Sequence, residues 1–464
     1  MMNEPAAKIS VKAWVIAYTV VVLVSWCINY PGRLTPDSYS MLTQAYFPQE
    51  IDNWHSPTVT WLWSLLSPPL GQPAGALLVQ SLLVFPYPAA LLVDKSQCRP
   101  LAIAFILPLI GLSGLIIKDM ILAASLLCSF GALHYFSGSR RAWTSAILAV
   151  IGILVRPTNF ILLAIAGLIW SSAFRGWLLV QKMIVLFVFS VLAFGSSYVV
   201  NEEVFGAKDV LPERSLIIFD VVGVSNNIGR DLFAGLPGWP EDQLPKPWTC
   251  YTPRYWDSFV RGPCSGYAIT FEEVVRQIGK QGVFKWWVVS VSSHPIAYLE
   301  HRVMYAFYLL RYMTPIADAR IPAATNSSAD DLSGVTTYGK DTRGLFKSWD
   351  MGIKFIPIGL LERIVFNRMT AVGSLLFCVL AVVWQLRRRK ARQPLALLSS
   401  AVGIGNYVML AFFGVASEGR YMLATVVCAV ICMQELIYSA NISAKEETQY
   451  QRRKYTGLFL KHGK

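Results

Sequence analysis

Charged residues are scarce in this chain. Only 15% of its 464 residues are Asp, Glu, Lys or Arg, whereas 54% are hydrophobic. Soluble proteins carry about 25% charged residues. Several apolar runs reach the roughly 17–25 residues that cross a bilayer as a helix. The composition therefore excludes a soluble globular protein and predicts an all-α polytopic membrane protein.

Motifs of several soluble functions are missing as well. The chain has no zinc-finger spacing, no compact basic domain and no glycine-rich phosphate loop, so it is not predicted to bind nucleic acid or a nucleotide sugar. The net charge of +13 has a simpler origin, because short cytoplasmic loops of membrane proteins are rich in Lys and Arg. The internal repeats of many secondary transporters are also missing.

Cysteine spacing gives no metal or redox motif, since none of the eight cysteines forms a CxxC pair. Cys250 and Cys264 differ from the others because they flank a polar stretch, YTPRYWDSFVRGP. If that stretch is extracytoplasmic, the two are candidates for a disulfide. The other six lie in or beside apolar segments, where Cys behaves as a small buried hydrophobe.

The apolar runs predict about ten membrane spans. The first run follows two lysines, as in a signal sequence, but no small-x-small cleavage site follows it, so we expect an uncleaved helix. A broken pair is an alternative for spans five and six, which are separated only by Arg156 and Pro157. The predicted spans are 11–29, 73–93, 100–117, 120–137, 142–155, 157–174, 178–200, 369–386, 394–413 and 420–440.

Basic residues give the predicted orientation. The run RRRKAR from Arg387 to Arg392 and the basic tail 441–464 fall on one side together with the other Lys- and Arg-rich turns. The positive-inside rule places this side, and both termini, in the cytoplasm. The chain then divides into an N-terminal membrane module (1–200) with an outer loop (30–72), a mixed extracytoplasmic region (201–368), C-terminal spans (369–440) and the tail.

The outer region contains an ambiguous segment. Residues 285–311 are apolar but include His294, Glu300, His301 and Arg302, which favours amphipathic helices on the membrane surface. One further span is the alternative, although it would invert the orientation of the RRRKAR run. A second interfacial helix is predicted over 353–368, and a flexible loop over 315–341.

Four charged clusters interrupt apolar stretches on the predicted outer side. An ionisable group near the bilayer core costs about 2.5–3.5 kcal/mol, so such groups rarely persist without a role. Their shared side predicts a polyanion-binding or catalytic site at one membrane surface. The clusters are Asp37 with His55, Lys118 with Asp119, Arg156, and Glu418 with Arg420.

Asp37 and His55 are the candidate acid–base residues. Asp37 follows Pro36 and is either a helix-capping carboxylate or a general base whose proton affinity is raised at the membrane boundary. His55, close to Asp52, is either structural or binds phosphate, orients the base or completes a metal site. These groups are too few to predict a metal, so no cofactor is assigned and a divalent metal stays open.

Cationic residues are the candidate phosphate ligands. Lys118 and Asp119 form either a local ion pair or part of a site for a lipid-linked phosphate. Arg156 and Arg420 offer planar forks of donors, and Glu418 is a candidate to neutralise Arg420. The remaining candidates are Tyr421, with an interface anchor as its alternative, and Arg302, with snorkelling at the surface as its alternative.

The pattern resembles the GT-C superfamily of membrane glycosyltransferases. The matching residues are PDS around Asp37, HSP at His55, KDM at Lys118 and EGRY at Glu418–Tyr421. The pattern covers residues 1–200 and 369–440. Many members carry a soluble C-terminal domain, whereas here the large outer segment lies between spans.

The resemblance implies an inverting glycosyltransferase of a bacterial inner membrane with a periplasmic active site. The donor would be a sugar on a polyprenyl phosphate, and the acceptor a glycan, lipid or protein. Asp37 would accept the proton of the acceptor hydroxyl, while Lys118, Arg156, Arg420 and Arg302 would stabilise the leaving phosphate. Outer aromatic residues would stack on sugars or simply pack: Trp239, Trp248, Tyr251, Tyr255 and Trp256.

Three other functions remain as alternatives. An O-antigen ligase or polymerase would depend less on Asp37 and more on His294 or His301. A transporter or lipid-linked glycan flippase would place charges at the bilayer midplane, whereas here they are predicted at one surface. An inactive scaffold of glycan assembly would tolerate loss of every charge named above.

Overall fold

The chain is predominantly helical. The computed structural model describes residues 9–30, 32–71, 73–94, 99–136, 195–240, 244–260, 264–311, 368–387, 393–416 and 419–441, with isolated positions between 144 and 191. The described helices are α1 (Val11–Asn29), α2 (Pro36–Tyr46), α3 (Pro57–Ser64), α4 (Ser67–Leu70), α5 (Ala74–Val84), α6 (Pro86–Val93), α7 (Arg99–Ser113), α8 (Lys118–Tyr135), α9 (Arg214–Ile228), α10 (Pro247–Cys250), α11 (Gly266–Ser292), α12 (Pro295–Arg311), α13 (Arg368–Arg387), α14 (Pro394–Phe413) and α15 (Arg420–Asn441). Strands β1 (Arg33–Leu34) and β2 (Leu115–Ile116) have two residues each.

Four of these helices, α1, α13, α14 and α15, are long and apolar enough to cross a membrane. The pair α5 and α6 would make a fifth span, bent by 48° where Pro86 cannot donate a helical hydrogen bond. The protein is therefore a helical membrane protein with at least four candidate spans among the described residues.

The predicted total of ten spans stays a prediction. At 100–117 and 120–137 the structure has α7 and α8, but neither reaches the length and apolarity of a span, since α8 begins with Lys118 and Asp119. Span 157–174 lies outside the described residues, and spans 142–155 and 178–200 are described only in part. Also outside are the loop 315–341, the interfacial helix 353–368 apart from its last residue, and the basic tail beyond Asn441.

One apolar core joins the N-terminal and C-terminal membrane helices. Leu127 of α8 packs in the same cluster as Leu398 of α14 and Val427 of α15. Other faces stay apolar and exposed, as on α1, where Val15, Ile16 and Val20 have no cover in the described chain. Such faces fit contact with lipid.

Polar side chains fix the turn between α7 and α8. Gln80 of α5 donates through Nε2 to the carbonyl oxygens of Ser113 and Leu115, both at 2.8 Å. Asn29 donates to the Ile110 carbonyl at 2.7 Å. The turn therefore has its carbonyls satisfied inside the protein, as buried backbone requires.

The two strands form a short parallel ladder between the segments that follow α1 and α7. Arg33 is paired with Leu115 and Leu34 with Ile116. β1 leads directly into α2, which carries Asp37, and β2 leads into α8, which carries Lys118. The ladder thus brings together two charged segments that are about eighty residues apart in the sequence.

The outer region has a separate aromatic core built from α9, α11 and α12. Phe219, Phe233, Tyr267 and Tyr305 are buried in it. The region includes a disulfide between Cys250 and Cys264, the pair singled out in the sequence. Within 285–311, neither α11 nor α12 is among the helices that could cross a membrane.

Candidate functional site

Asp37 lies in the first turn of α2 without acting as its cap. The N-cap is Thr35, whose hydroxyl accepts from the Ser38 amide while the Ser38 hydroxyl accepts from the Thr35 amide. This reciprocal arrangement satisfies the helix start. The carboxylate of Asp37 is therefore available for another partner.

That partner is Arg420, at the start of α15. Its Nη1 lies 2.8 Å from Oδ2 of Asp37, and the arginine side chain is only 9% exposed against 34% for the aspartate. The Arg420 guanidinium also lies 5.3 Å from the ring centroid of Tyr421. The pair joins residues almost four hundred positions apart in the sequence. The Asp37 side chain is the partly solvent-exposed member of the pair.

His55 contacts Lys118 in the same site. Nζ of Lys118 lies 3.3 Å from Nδ1 of the imidazole. An ammonium only donates hydrogen bonds, so Nδ1 accepts and the ring proton of the neutral imidazole is on Nε2. The imidazole is buried, with 7% exposure.

Asp52 shapes the turn that presents His55. Its carboxylate accepts from the backbone amide of Trp54 at 3.0 Å and from Nε2 of Gln44 at 2.8 Å. Asp52 itself pairs through the backbone with Lys208 of the outer region. Asp52 therefore has a structural role beside the site.

The electrostatics tie Asp37, His55, Lys118 and Arg420 into one group. Burial raises the pKa of Asp37, but the charge of Arg420, with smaller effects of His55 and Lys118, outweighs it and lowers that pKa to about 2. Burial, reinforced by Lys118 and Arg420, lowers the pKa of His55 to about 3. At neutral pH the site holds an ionised carboxylate, a neutral imidazole and two cations, and is suited to an anion.

The other predicted site residues have different positions. Asp119 is buried in the first turn of α8, next to Lys118. Arg156 and Glu418 lie outside the described residues. Arg302 lies in the core of the outer region, where its contacts are with Asp220 and Gly414.

Arg302 belongs to a buried network that the sequence did not reveal. Its Nη2 lies 2.5 Å from Oδ1 of Asp220, with exposures of 2% and 0%, and its Nη1 donates to the Gly414 carbonyl at 2.7 Å. His301 lies 3.6 Å from the same carboxylate oxygen and bonds the Tyr251 hydroxyl at 2.9 Å. Snorkelling at the surface is excluded for an arginine so deeply buried.

Asp220 is the functional candidate that sequence reasoning missed. It stands alone in the apolar run LIIFDVVGV, which was the available signal, because a buried carboxylate requires a partner. That partner is 82 positions further along the chain. A pattern read along one helix could not identify it.

A cavity of about 650 Å³ opens between α9 and α12. Its wall combines carboxylate and amide groups with aromatic rings. The lining residues are Asn226, Asn227, Tyr251, Pro253, Glu300, Val303, Met304, Phe307 and Tyr308. Tyr251 connects the cavity to His301 and so to the Arg302 network.

The described residues contain no group of three or more His, Cys, Asp or Glu side chains that could hold a metal ion. Asp37, His55, Lys118 and Arg420 together offer one carboxylate, one imidazole and two cations.

Fold and site together define the class of protein: a helical membrane protein with a buried cationic site at one end of its helices. No protein-family model, no curated protein and no solved structure matches the chain.

Proposed function

We propose that the protein is a membrane glycosyltransferase that moves a sugar from a polyprenyl phosphate to an extracytoplasmic acceptor, in the manner of the GT-C superfamily. The observation that carries the proposal is the grouping of Asp37, His55, Lys118 and Arg420, which come from four separate segments. A base beside two cations is what transfer from a lipid-linked phosphate requires. A bacterial inner membrane, with the site on the periplasmic face, is the proposed location.

The donor phosphate would change the state of Asp37. In the donor-free site Arg420 lowers the basicity of this carboxylate. A phosphate bound to Arg420 and Lys118 would compete for the guanidinium donors and place negative charge nearby, and both effects raise the pKa of a carboxylate. Donor binding would thus convert Asp37 from an ion-pair partner into a general base.

The chemical step is a single displacement. The acceptor hydroxyl oxygen bonds to the anomeric carbon while its proton passes to a carboxylate oxygen of Asp37. The bond from the anomeric carbon to the phosphate oxygen breaks, and its electron pair leaves with the polyprenyl phosphate. Arg420 and Lys118 stabilise the charge that grows on this phosphate, and the anomeric centre is inverted.

The acceptor would bind in the outer region. The cavity between α9 and α12 is within the size range of small-molecule sites and offers Tyr251, Phe307 and Tyr308 as ring surfaces, with Glu300 and Asn226 for hydroxyl groups. Aromatic faces with adjacent hydrogen-bonding groups suit a sugar. These groups would allow stacking and hydrogen bonding of a sugar on a wall that is otherwise apolar.

The test compares Asp37→Asn with Glu50→Gln. Both changes remove one carboxylate charge from the loop 30–72, but Asp37 is paired with Arg420, whereas Glu50 lies half-buried in the turn Pro48–Glu50 that follows α2. We expect Asp37→Asn to abolish most of the transfer that the wild type supports, roughly 10²-fold or more for loss of a general base. The measurement is the surface glycan and glycolipid profile of cells producing each protein at equal level.

Two results would contradict the proposal. One is an unchanged profile in Asp37→Asn cells. The other is an equal change in Asp37→Asn and Glu50→Gln cells, which would indicate a general effect of charge on the loop. Retained activity in Asp37→Asn with loss in His301→Gln would favour the ligase or polymerase alternative.

A further inference from the structure

We propose that Arg302 and Tyr305 are positioning residues, which hold segment 414–416 in place and through it set the position of the Arg420 guanidinium. The inference rests on the proposed function, in which Arg420 binds the donor phosphate. It replaces a direct phosphate-binding role for Arg302.

Segment 414–416 is held from the outer region at each of its residues. Arg302 donates to the Gly414 carbonyl at 2.7 Å. The Trp256 amide donates to the Val415 carbonyl at 3.0 Å. The Tyr305 hydroxyl donates to the Ala416 carbonyl at 2.9 Å. Three consecutive carbonyls thus have donors from the outer region.

The contact is close as well as polar. A Cβ atom at Gly414 would lie 2.2 Å from the Tyr305 hydroxyl and 2.5 Å from the Leu410 carbonyl oxygen. Only glycine therefore fits at this point of the chain without a shift. Segment 414–416 cannot slide along α12 without breaking these contacts.

The donors themselves are fixed. Arg302 is 2% exposed and paired with Asp220, while Tyr305 is fully buried in the aromatic core of the outer region. A buried charge without its partner is costly, so the Asp220 pair keeps Arg302 in one orientation. The second nitrogen of its fork is then aimed at the Gly414 carbonyl.

The path from this segment to the site is short. Ala416 lies only four positions before Arg420. Arg420 is in the tight turn Gly419–Met422 and pairs with Asp37. Four residues span at most about 14 Å, so the position of Ala416 limits where Arg420 can lie. The outer region thereby positions a phosphate ligand that belongs to the membrane region.

Two tyrosines allow a matched experiment. Tyr305 and Tyr267 are both fully buried in the same core. Each donates its hydroxyl to a backbone carbonyl, that of Ala416 for Tyr305 and, at 2.6 Å, that of Pro245 for Tyr267. Tyr305→Phe and Tyr267→Phe therefore each remove the hydrogen bond to that carbonyl, but only the first loosens segment 414–416.

Two measurements are made on the full-length protein in lipid nanodiscs. The first is amide hydrogen exchange over residues 414–422, which we expect to accelerate roughly three- to tenfold in Tyr305→Phe and to stay at the wild-type rate in Tyr267→Phe. The second is the affinity for polyprenyl phosphate, expected to fall by a similar factor only in Tyr305→Phe. If Tyr305→Phe is poorly produced, Arg302→Lys, which retains the charge but loses the fork, takes its place.

The outcomes separate this inference from the proposed function. Unchanged exchange over 414–422 in Tyr305→Phe overturns the inference, as does faster exchange with unchanged affinity. Equal effects in the two variants also overturn it, because they reflect general loosening of the core. Faster exchange in a protein that does not bind polyprenyl phosphate at all supports the positioning of Arg420 and overturns the proposed function.

Discussion

At the scale of single residues, the site combines groups whose charges depend on one another. The Asp37 carboxylate is kept ionised chiefly by Arg420, whereas the His55 imidazole is kept neutral by burial and by the neighbouring cations. The pKa values of both side chains are thus lowered. For Asp37 the charged form is stabilised, whereas for His55 the charged form is destabilised. Asp37 therefore stays ionised and His55 stays neutral over the whole neutral pH range.

His55 makes the folded protein sensitive to mild acid. Its pKa falls from 6.5 to about 3 on folding, so between these values the unfolded chain binds a proton that the folded chain does not. Stability contributed by the neutral imidazole is fully present above pH 6.5 and decreases as the pH falls, by at most about 1.4 kcal/mol per pH unit for one group. We expect the melting temperature of His55→Gln to fall less than that of the wild type when the pH is lowered from 6.5 to 4.

The measurement is thermal unfolding of both proteins in detergent across that range. Burial also lowers the pKa of His301, so the difference between the two proteins, and not the slope of either, reports on His55. Asp37 contributes only at lower pH, since its stabilisation is lost between 3.8 and about 2. Parallel pH profiles for wild type and His55→Gln would refute the assignment.

At the scale of elements, the β1–β2 ladder places the two charged loops side by side. Hydrophobic runs and basic turns predicted one side of the membrane for Asp37, His55, Lys118 and Arg420, and the structure brings these four residues together. The ladder itself was not predictable, because two residues per strand give no periodicity. The Arg302–Asp220 pair was not predictable either, since its members lie on different helices. The bend before Pro86 did have a sequence signal, the proline itself.

Gly114, directly before β2, tests the role of the ladder. A Cβ here would lie 2.1 Å from Oδ1 of Asn29, and Asn29 is buried and held by bonds to Ser25 and Ile110. We expect Gly114→Ala to destabilise the protein by about 1–3 kcal/mol, as overpacking does, and to reduce transfer activity by shifting Lys118. Melting temperature and activity are the measurements.

Gly373 provides the matched control within a membrane helix. A Cβ at this position of α13 meets no atom within 4 Å. Gly373→Ala should therefore leave activity unchanged and keep the melting temperature at or slightly above that of the wild type, because alanine favours the helix over glycine. If Gly114→Ala behaves like Gly373→Ala, the turn before β2 has more freedom than the contacts with Asn29 allow, and the ladder does not determine the position of Lys118.

At the scale of the whole molecule, the outer region is attached to the end of the helix bundle that carries the site. Backbone pairing links Asp52 to Lys208 and Tyr255 to Ala416. The Cys250–Cys264 disulfide lies in this same region, and disulfides persist in oxidising compartments. The basic run after α13 is at the other end of that helix from Arg368. We therefore expect the site, the disulfide and the outer region to share one side of the membrane, opposite to the basic run after α13.

This arrangement predicts a specific labelling pattern. Arg230 is exposed at the end of α9 in the outer region, whereas Lys464 ends the basic tail. We expect a membrane-impermeant maleimide to label Arg230→Cys in intact spheroplasts. Lys464→Cys should be labelled only after the membrane is permeabilised, and the parent protein controls for the native cysteines. Labelling of the tail but not of the outer region in intact spheroplasts would indicate the inverse topology. The Asp37–Arg420 pair would then face the cytoplasm, where a periplasmic acceptor could not reach it.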